Sequence, residues 1–158
     1  MRLTTQEARE RFAAQRVARL ATAGEDGQPH VVPVTFAVAG DRICTAVDHK
    51  PKTTPNLRRL RNITENPRVA LLADRYADDW AELWWVRADG HASIITDDAA
   101  MQPYLDLLAE RYEQYRQARP AGPVIVVDAG RWTGWSGSGL AVGEPAAVDL
   151  GQVRAHLR

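Results

Sequence analysis

The sequence contains little cysteine and no long apolar run. Cys44 is the single cysteine among 158 residues, so no internal disulfide can form, and its apolar neighbours in DRICTAV indicate a small buried residue. No stretch approaches 18 consecutive apolar residues, and the N-terminal MRLTTQEARERF is polar and helical in pattern, unlike a secretion signal. We therefore predict a cytoplasmic protein with no membrane-spanning segment.

The chain also lacks an excess of charge of either sign. Twenty Lys and Arg residues match twenty Asp and Glu residues, so no overall field attracts nucleic acid. Apolar residues make up 45% of the sequence, which is enough for an ordinary core in one domain of this length. These figures favour a globular protein that does not bind nucleic acid.

Side chains for self-contained catalysis are scarce. The four histidines, at positions 30, 49, 91 and 156, have no His or Cys partner at a metal-ligand spacing, so no metal site is predicted. No Gly-x-Ser-x-Gly elbow is present, and the pairs Asp78-Asp79 and Asp97-Asp98 are typical of a solvated loop and a helix start. We assign no catalytic residue and expect that, in an enzyme, a cofactor would carry the chemistry.

Short strand patterns joined by turns dominate the sequence. Asp26-Gly27 and Gly40-Asp41 are turn signals between the first three strands, and Asp89-Gly90 predicts a bend or bulge in the fifth. Pro33 places the second strand at an edge or a bulge, because proline cannot donate to a strand ladder. The six predicted strands are Arg16–Thr22, Pro29–Gly40, Arg42–Val47, Arg68–Asp74, Leu83–Ile95 and Gly122–Trp135. The predicted fold is mainly β (α+β), an antiparallel six-stranded barrel with flanking helices.

Three stretches have helical patterns. Thr4 and Glu7 have the spacing of a capping box, and Pro55 is a favoured first helical residue after a possible N-cap at Thr54. In the longest stretch, apolar and aromatic residues recur at helical spacing, which favours packing over cofactor contact for its tyrosines; they are Leu105, Leu108, Tyr112 and Tyr115. The predicted helices are Thr4–Ala14, Pro55–Glu65 and Thr96–Gln117, the last with its cap at Thr96 or Asp97.

The segment DHKPKTTPNLRRLRNITENPRV, Asp48 to Val69, gathers positive charge in this neutral chain. Lys50 and Lys52 point the same way on an extended segment. Thr53 and the predicted helix start add hydroxyl and backbone donors with a partial positive charge, which together suit a phosphate. Further along, Arg58, Arg59 and Arg61 could reach a longer anionic tail or could simply face water, and the sequence leaves both open.

These residues resemble a known family. The segment RVARLATAGEDGQPHVVPVTFAVAGDRICTAVD followed by KPKTTPNLRRLRNITENPRVALL is similar to the pyridoxamine 5'-phosphate oxidase-like split β-barrel proteins of the FMN-binding split-barrel type. Within them it looks most like the actinobacterial branch that uses the deazaflavin coenzyme F-420. The resemblance covers roughly Glu7 to Trp135. It divides the chain into a cofactor-binding domain, residues 1–135, and a C-terminal linker with a short helix, residues 136–158.

The resemblance implies a homodimer with two cofactor sites at the subunit interface. It implies a phosphate site at Lys50 and Lys52, with further cofactor contacts along the second and third strands and an aromatic residue from the partner subunit. The implied cofactor-binding residues are Val32, Pro33, Val34, Thr35, Thr45, Ala46, Val47, Lys50, Lys52, Thr53, Asn56 and Trp80. Arg58 joins this set as the possible contact of an anionic tail. The implied activity is hydride transfer from reduced F-420 to a small organic acceptor, with the protein orienting ring and substrate.

Two alternatives stay open from the sequence. One is an FMN-dependent oxidase or reductase on the same barrel, because FMN also carries a phosphate. The other is a non-catalytic protein that binds a flavin or haem. The five tryptophans do not decide between them; adjacent Trp84 and Trp85 must point to opposite faces of a strand, so that one fills the core and the other covers a helix, a partner chain or a flat ring.

Overall fold

A computed structural model describes residues 1–47 and 57–138 of the chain. Within these ranges seven strands form one sheet: β1 (Ala18–Ala23), β2 (Pro29–Val34), β3 (Ala37–Ala39), β4 (Arg42–Ala46), β5 (Arg68–Arg75), β6 (Trp84–Ile95) and β7 (Val124–Ser136). The helices are α1 (Thr5–Ala13), α2 (Arg58–Glu65), α3 (Asp98–Arg111) and α4 (Glu113–Gln117), with a 3₁₀ helix at Trp80–Glu82. None of the helices in the described ranges is long and apolar enough to cross a membrane.

The sheet is antiparallel at every pairing, in the order β2-β1-β5-β6-β7-β4-β3. The two edge strands, β2 and β3, are consecutive in the chain and joined by the two residues Thr35 and Phe36. Pro33 lies on β2, so its predicted edge position is confirmed. The predicted bulge is also confirmed: Asp89 pairs with Arg131 but Gly90 pairs with Ala129, which leaves Gly130 as the extra residue.

The prediction of six strands is wrong because the predicted second strand, Pro29–Gly40, is two strands. The ladder stops after Val34, where the N–H of Phe36 donates to the hydroxyl of Tyr112 at 3.1 Å instead of to a neighbouring strand. The predicted helix Thr96–Gln117 is likewise two helices. Tyr112 has extended backbone angles, φ −120° and ψ 117°, and separates α3 from α4.

Two helix starts test the capping signals. The capping box is confirmed, because Thr4 Oγ1 accepts from the Glu7 N–H at 3.2 Å and the Glu7 carboxylate accepts from the Thr4 N–H at 2.8 Å. The predicted start of the second helix at Pro55 is wrong. Leu57 is extended, with φ −61° and ψ 137°, so α2 begins at Arg58.

Two apolar clusters hold the elements together. The inner cluster contains Phe12 of α1, whose ring centroid lies 4.8 Å from that of Phe36 and 5.4 Å from that of Trp132. The second cluster packs α3 and α4 against β4 and β7, and it buries the predicted packing residues Leu105, Leu108, Tyr112 and Tyr115 together with Cys44. α3 and α4 therefore cover the outer side of β4 and β7.

Candidate functional site

The corner formed by Thr35 and Phe36 follows the end of β2, and the pairing of β3 with β4 brings the last residues of β4 beside it. Ala37, the first residue after the corner, pairs with Cys44. Thr35 lies two residues before Ala37, and the segment Thr45–Val47 begins directly after Cys44. The N–H of Val47 donates to the carbonyl of Pro123 at 3.0 Å, which fixes the end of this segment. The two segments predicted to lie along the cofactor ring therefore share one end of the barrel.

Most side chains of these two segments are turned into the protein. Val34, Thr45, Ala46 and Val47 are buried, and Val32 is half-buried. Pro33 is exposed and Thr35 is half-buried. A ligand at this corner would therefore contact the side chains of Pro33 and Thr35 and mainly the backbone of the others.

Arg58 lies at the other end of β2. Its guanidinium is 3.8 Å from the carboxylate of Asp26, in the turn that precedes β2, and its side chain is 40% exposed. β2 advances about 3.3 Å per residue, so a strand length of roughly 17 Å separates this end from Thr35. Among the described residues, Arg58 Nε is one of three buried side-chain atoms with no hydrogen-bond partner. A guanidinium N–H of this kind is the type of donor that suits an anionic group.

α2 is fastened to the β1–β2 hairpin, which positions Arg58. The side-chain amide of Asn62 donates to the Thr22 hydroxyl at 3.0 Å, and the Glu65 carboxylate accepts from the Glu25 N–H at 2.9 Å. Gly24 allows this contact, because a Cβ there would collide with the Glu65 carboxylate. Arg61 is exposed on the same helix.

The predicted phosphate-binding residues Lys50, Lys52, Thr53 and Asn56, with His49, lie outside the described residues. The residues that flank this segment are described, and they lie at opposite ends of β2. Val47 is near the corner, and Leu57 precedes Arg58. The phosphate assignment stays a prediction.

Sequence reasoning missed a groove of about 510 Å³ on the outer face of β1, β2, β5 and β6. Its outward side chains alternate with core residues along each strand, and this period of two was the available signal. Val31 is 60% and Leu72 38% exposed there. Trp85 is half-buried in the groove and Trp84 is buried, which confirms that they point to opposite faces.

Two arginine–aspartate ion pairs border this groove. Arg19 Nη1 lies 3.1 Å from Asp74 Oδ1, and Arg87 Nε lies 2.9 Å from Asp89 Oδ1. Trp80, on the 3₁₀ helix before β6, is 65% exposed. The Asp79 carboxylate caps that helix by accepting from the Ala81 N–H at 2.9 Å, so the exposed indole is carried on a fixed turn.

The family model for pyridoxamine 5'-phosphate oxidase matches residues 4–136, more than four fifths of the chain. The chain belongs to this family. The match contains every described strand and helix, including the corner, the groove and Trp80. It therefore agrees with the resemblance that the sequence showed from Glu7 to Trp135.

One curated protein that is similar to part of this chain is named as an enzyme. The 5a,11a-dehydrotetracycline/5a,11a-dehydrooxytetracycline reductase of Streptomyces rimosus is 38% identical over 61 residues. The alignment covers 39% of this chain and 42% of the reductase, so the chain spans less than half the length of that relative.

Solved structures share the fold of this oxidase-family chain. A conserved hypothetical protein from Mycobacterium tuberculosis has a TM-score of 0.69 at 23% identity, covering 90% of this chain and 94% of its own. A FAD-binding protein from Mesorhizobium loti has a TM-score of 0.64 at 21% identity, covering 85% and 95%. These likenesses show that the seven-stranded sheet with its flanking helices is the split-barrel fold of this family.

Proposed function

We propose that the protein is an oxidoreductase that uses the reduced deazaflavin coenzyme F-420 to reduce a small organic acceptor. The observation that carries this proposal is membership of the pyridoxamine 5'-phosphate oxidase family over residues 4–136. The local identity to a reductase of dehydrotetracyclines adds support for reduction as the direction of reaction. F-420 is favoured by the resemblance of the Lys50–Val69 segment to the deazaflavin branch.

The layout of the described residues suits a long cofactor. The ring would lie at the corner beside Pro33 and Thr35, and the phosphate would lie at Lys50 and Lys52. An anionic tail beyond the phosphate would approach Arg58, whose Nε has no hydrogen-bond partner among residues 1–47 and 57–138. Bound in this way, reduced F-420 supplies the hydride, and the protein orients the ring, holds the acceptor and keeps water away.

FMN is the alternative cofactor on the same barrel. Its chain ends at the phosphate, so an FMN site would use Lys50 and Lys52 but would not need Arg58. A non-catalytic flavin- or haem-binding protein is the second alternative. The three readings differ in which ligand binds and in whether binding is followed by turnover.

The outer groove supports a homodimer as part of the proposal. Val31, Leu72 and Trp85 leave an apolar strip on this face, and hydrophobic strips of this kind mark interaction sites. Arg19 and Arg87 alternate with Asp74 and Asp89 along its border. A second copy related by a two-fold axis can place arginine against aspartate at both borders, which suits a self-complementary interface.

Cofactor titration tests the activity. The purified protein would be inspected for a yellow FMN spectrum and then titrated with F-420 and with FMN, followed by turnover assays with reduced F-420 and a panel of acceptors. Lys50→Ala and Lys52→Ala are expected to weaken both cofactors. Arg58→Ala is expected to weaken F-420 alone, and Arg131→Ala, an exposed arginine on β7, serves as the charge-matched control.

Each alternative has its own signature in this titration. Tight FMN binding without F-420 binding would overturn the deazaflavin assignment. Binding of F-420 with no turnover on any acceptor would favour the binding-protein alternative. Equal losses in Arg58→Ala and Arg131→Ala would remove Arg58 from the site.

Sedimentation velocity tests the homodimer. Leu72→Asp places a charge in the apolar strip and is expected to shift the protein from dimer to monomer. Ala39→Asp adds the same charge at an exposed position on β3 and is expected to stay dimeric. A wild-type monomer at micromolar concentration would contradict the homodimer.

A further inference from the structure

Two tyrosines on the α3–α4 unit hold the β2–β3 corner by their hydroxyl groups. The Tyr112 hydroxyl accepts the N–H of Phe36 at 3.1 Å. Its own proton has two carbonyl acceptors in reach, Arg16 at 2.8 Å and Phe36 at 3.0 Å. Tyr112 is 5% exposed, so these bonds form away from water. The backbone of the corner is therefore fixed by a side chain from 76 residues further along the chain.

The second tyrosine holds the side chain of the corner residue itself. The hydroxyls of Tyr115 and Thr35 lie 2.6 Å apart, and either can be the donor. Tyr115 is 8% exposed, whereas Thr35 is half-buried. The rings of Tyr112 and Tyr115 contact each other edge-on, with centroids 5.6 Å apart, so the two hydroxyls are presented as a pair.

Packing alone does not explain why these two positions carry tyrosine hydroxyl groups. Phenylalanine at either position would fill nearly the same volume in the α3–β4 cluster without a polar atom. Burying a hydroxyl is unfavourable unless it is hydrogen-bonded, and here Phe36 and Thr35 provide partners. The break between α3 and α4 involves the same residue, because Tyr112 separates the two helices and also binds the corner.

We infer that Tyr112 and Tyr115 are positioning residues of the cofactor site. Tyr112 fixes the corner backbone, and Tyr115 fixes the rotamer of Thr35. When Tyr115 donates to Thr35 Oγ1, the threonine proton remains available for a carbonyl or ring nitrogen of a bound flavin or deazaflavin, because a hydroxyl can accept and donate at once. This inference rests on the proposed function, since it places the ring beside Thr35.

Isosteric variants test the inference. Tyr115→Phe removes the hydroxyl, Thr35→Val removes its partner, and the double variant removes both. Tyr104→Phe is the matched control, because Tyr104 is on α3 but its hydroxyl accepts from Arg42, away from the corner. The readouts are the Kd for F-420 and for FMN, the melting temperature, and hydrogen exchange at the Phe36 amide in the cofactor-free protein.

The expected result is a non-additive loss of affinity. Tyr115→Phe and Thr35→Val should each raise the cofactor Kd roughly 5- to 10-fold, and the double variant should be no weaker than Thr35→Val alone. A further variant, Tyr112→Phe, should raise the exchange rate of the Phe36 amide. Tyr104→Phe should leave the cofactor Kd and this exchange rate unchanged.

Other results would overturn the inference. A Tyr115→Phe variant with a lower melting temperature but the wild-type Kd would make the tyrosine structural only. Additive losses in the double variant would show that the two hydroxyls act separately. A wild-type protein that binds neither F-420 nor FMN would instead overturn the proposed function, and the cofactor role of the corner with it, whatever the exchange data show.

Discussion

The side-chain amide of Asn62 donates to the hydroxyl of Thr22 at 3.0 Å, and both residues are buried. Asn62→Leu should lower the free energy of unfolding by about 1–3 kcal/mol, because it leaves the Thr22 hydroxyl buried without this partner. Adding Thr22→Val should restore part of the loss. Urea unfolding measures both, with Thr64→Ala, exposed on the same helix, as the control. Full additivity of the two substitutions would contradict a paired interaction.

Two glycines at the β6–β7 bulge should respond oppositely to a methyl group. A Cβ on Gly90 would collide with the backbone carbonyl of Asp128, whereas a Cβ on Gly130 would have no atom within 4 Å. Gly90→Ala should therefore lower the free energy of unfolding by about 1–3 kcal/mol, and Gly130→Ala should change it by less than about 1 kcal/mol. The midpoints of urea unfolding of the two variants would be compared with that of wild type, provided that the slopes of the transitions (m-values) are equal. Equal midpoints would mean that the bulge relaxes without strain.

Cys44 should be unreactive in the folded protein. Burial raises the pKa of its thiol from the ordinary 9.0 to about 11, so the thiolate fraction at pH 8 falls on the order of 100-fold. Alkylation by iodoacetamide should be slower than in the urea-unfolded protein by at least this factor. Native protein that reacts as fast as unfolded protein would show that β4 opens to solvent.

The N-terminal cap of α1 should make stability depend on acid. Hydrogen bonds from the Thr4 backbone and hydroxyl hold the pKa of Glu7 below its ordinary 4.5. A lowered pKa in the folded state adds stability above the ordinary value, and this stability is lost as the pH falls through the lowered pKa. The melting temperature of wild type should therefore fall more between pH 6 and pH 3 than that of Glu7→Gln. Glu10→Gln, on the same helix, should follow the wild-type curve, and a Glu7→Gln curve parallel to wild type would contradict the cap.

Trp80 should matter for the cofactor and not for folding. It is 65% exposed, so Trp80→Ala should change the free energy of unfolding by no more than about 0.5 kcal/mol. If it covers the ring bound to the partner subunit, the Kd for F-420 should rise roughly 3- to 10-fold. Tyr76→Ala, at a 75% exposed aromatic four residues earlier, is the control. Equal Kd values for the two variants would remove Trp80 from the site.

Local signals predicted local features of this fold well. The Thr4–Glu7 cap, the edge position of Pro33 and the bulge at Asp89-Gly90 each depend on residues close in sequence, and each was predicted. The break after Val34 and the break at Tyr112 were missed together. They are the two sides of one contact between residues 36 and 112, and no short-range pattern reports a partner 76 residues away.

The candidate site was predicted unevenly for a similar reason. The family resemblance grouped Val32–Thr35 with Thr45–Val47, and the sheet register brings both to the corner. It also counted Arg58 among the possible cofactor contacts, and the structure places Arg58 at the end of β2 opposite the corner, because α2 is fastened to the β1–β2 hairpin. Lys50, Lys52, Thr53 and Asn56 stay predictions, since they lie outside the described residues.

The strands on either side of the corner at Thr35 and Phe36 also affect the tendency of the protein to aggregate. Open sheet edges can recruit strands from other chains and start aggregation. Here both edges are poor templates: β2 carries Pro33, which has no N–H to offer, and β3 is three residues long and leads directly from the corner. Pro33 and the short β3, which lie on either side of the candidate corner, therefore also disfavour aggregation through the sheet edges at high protein concentration.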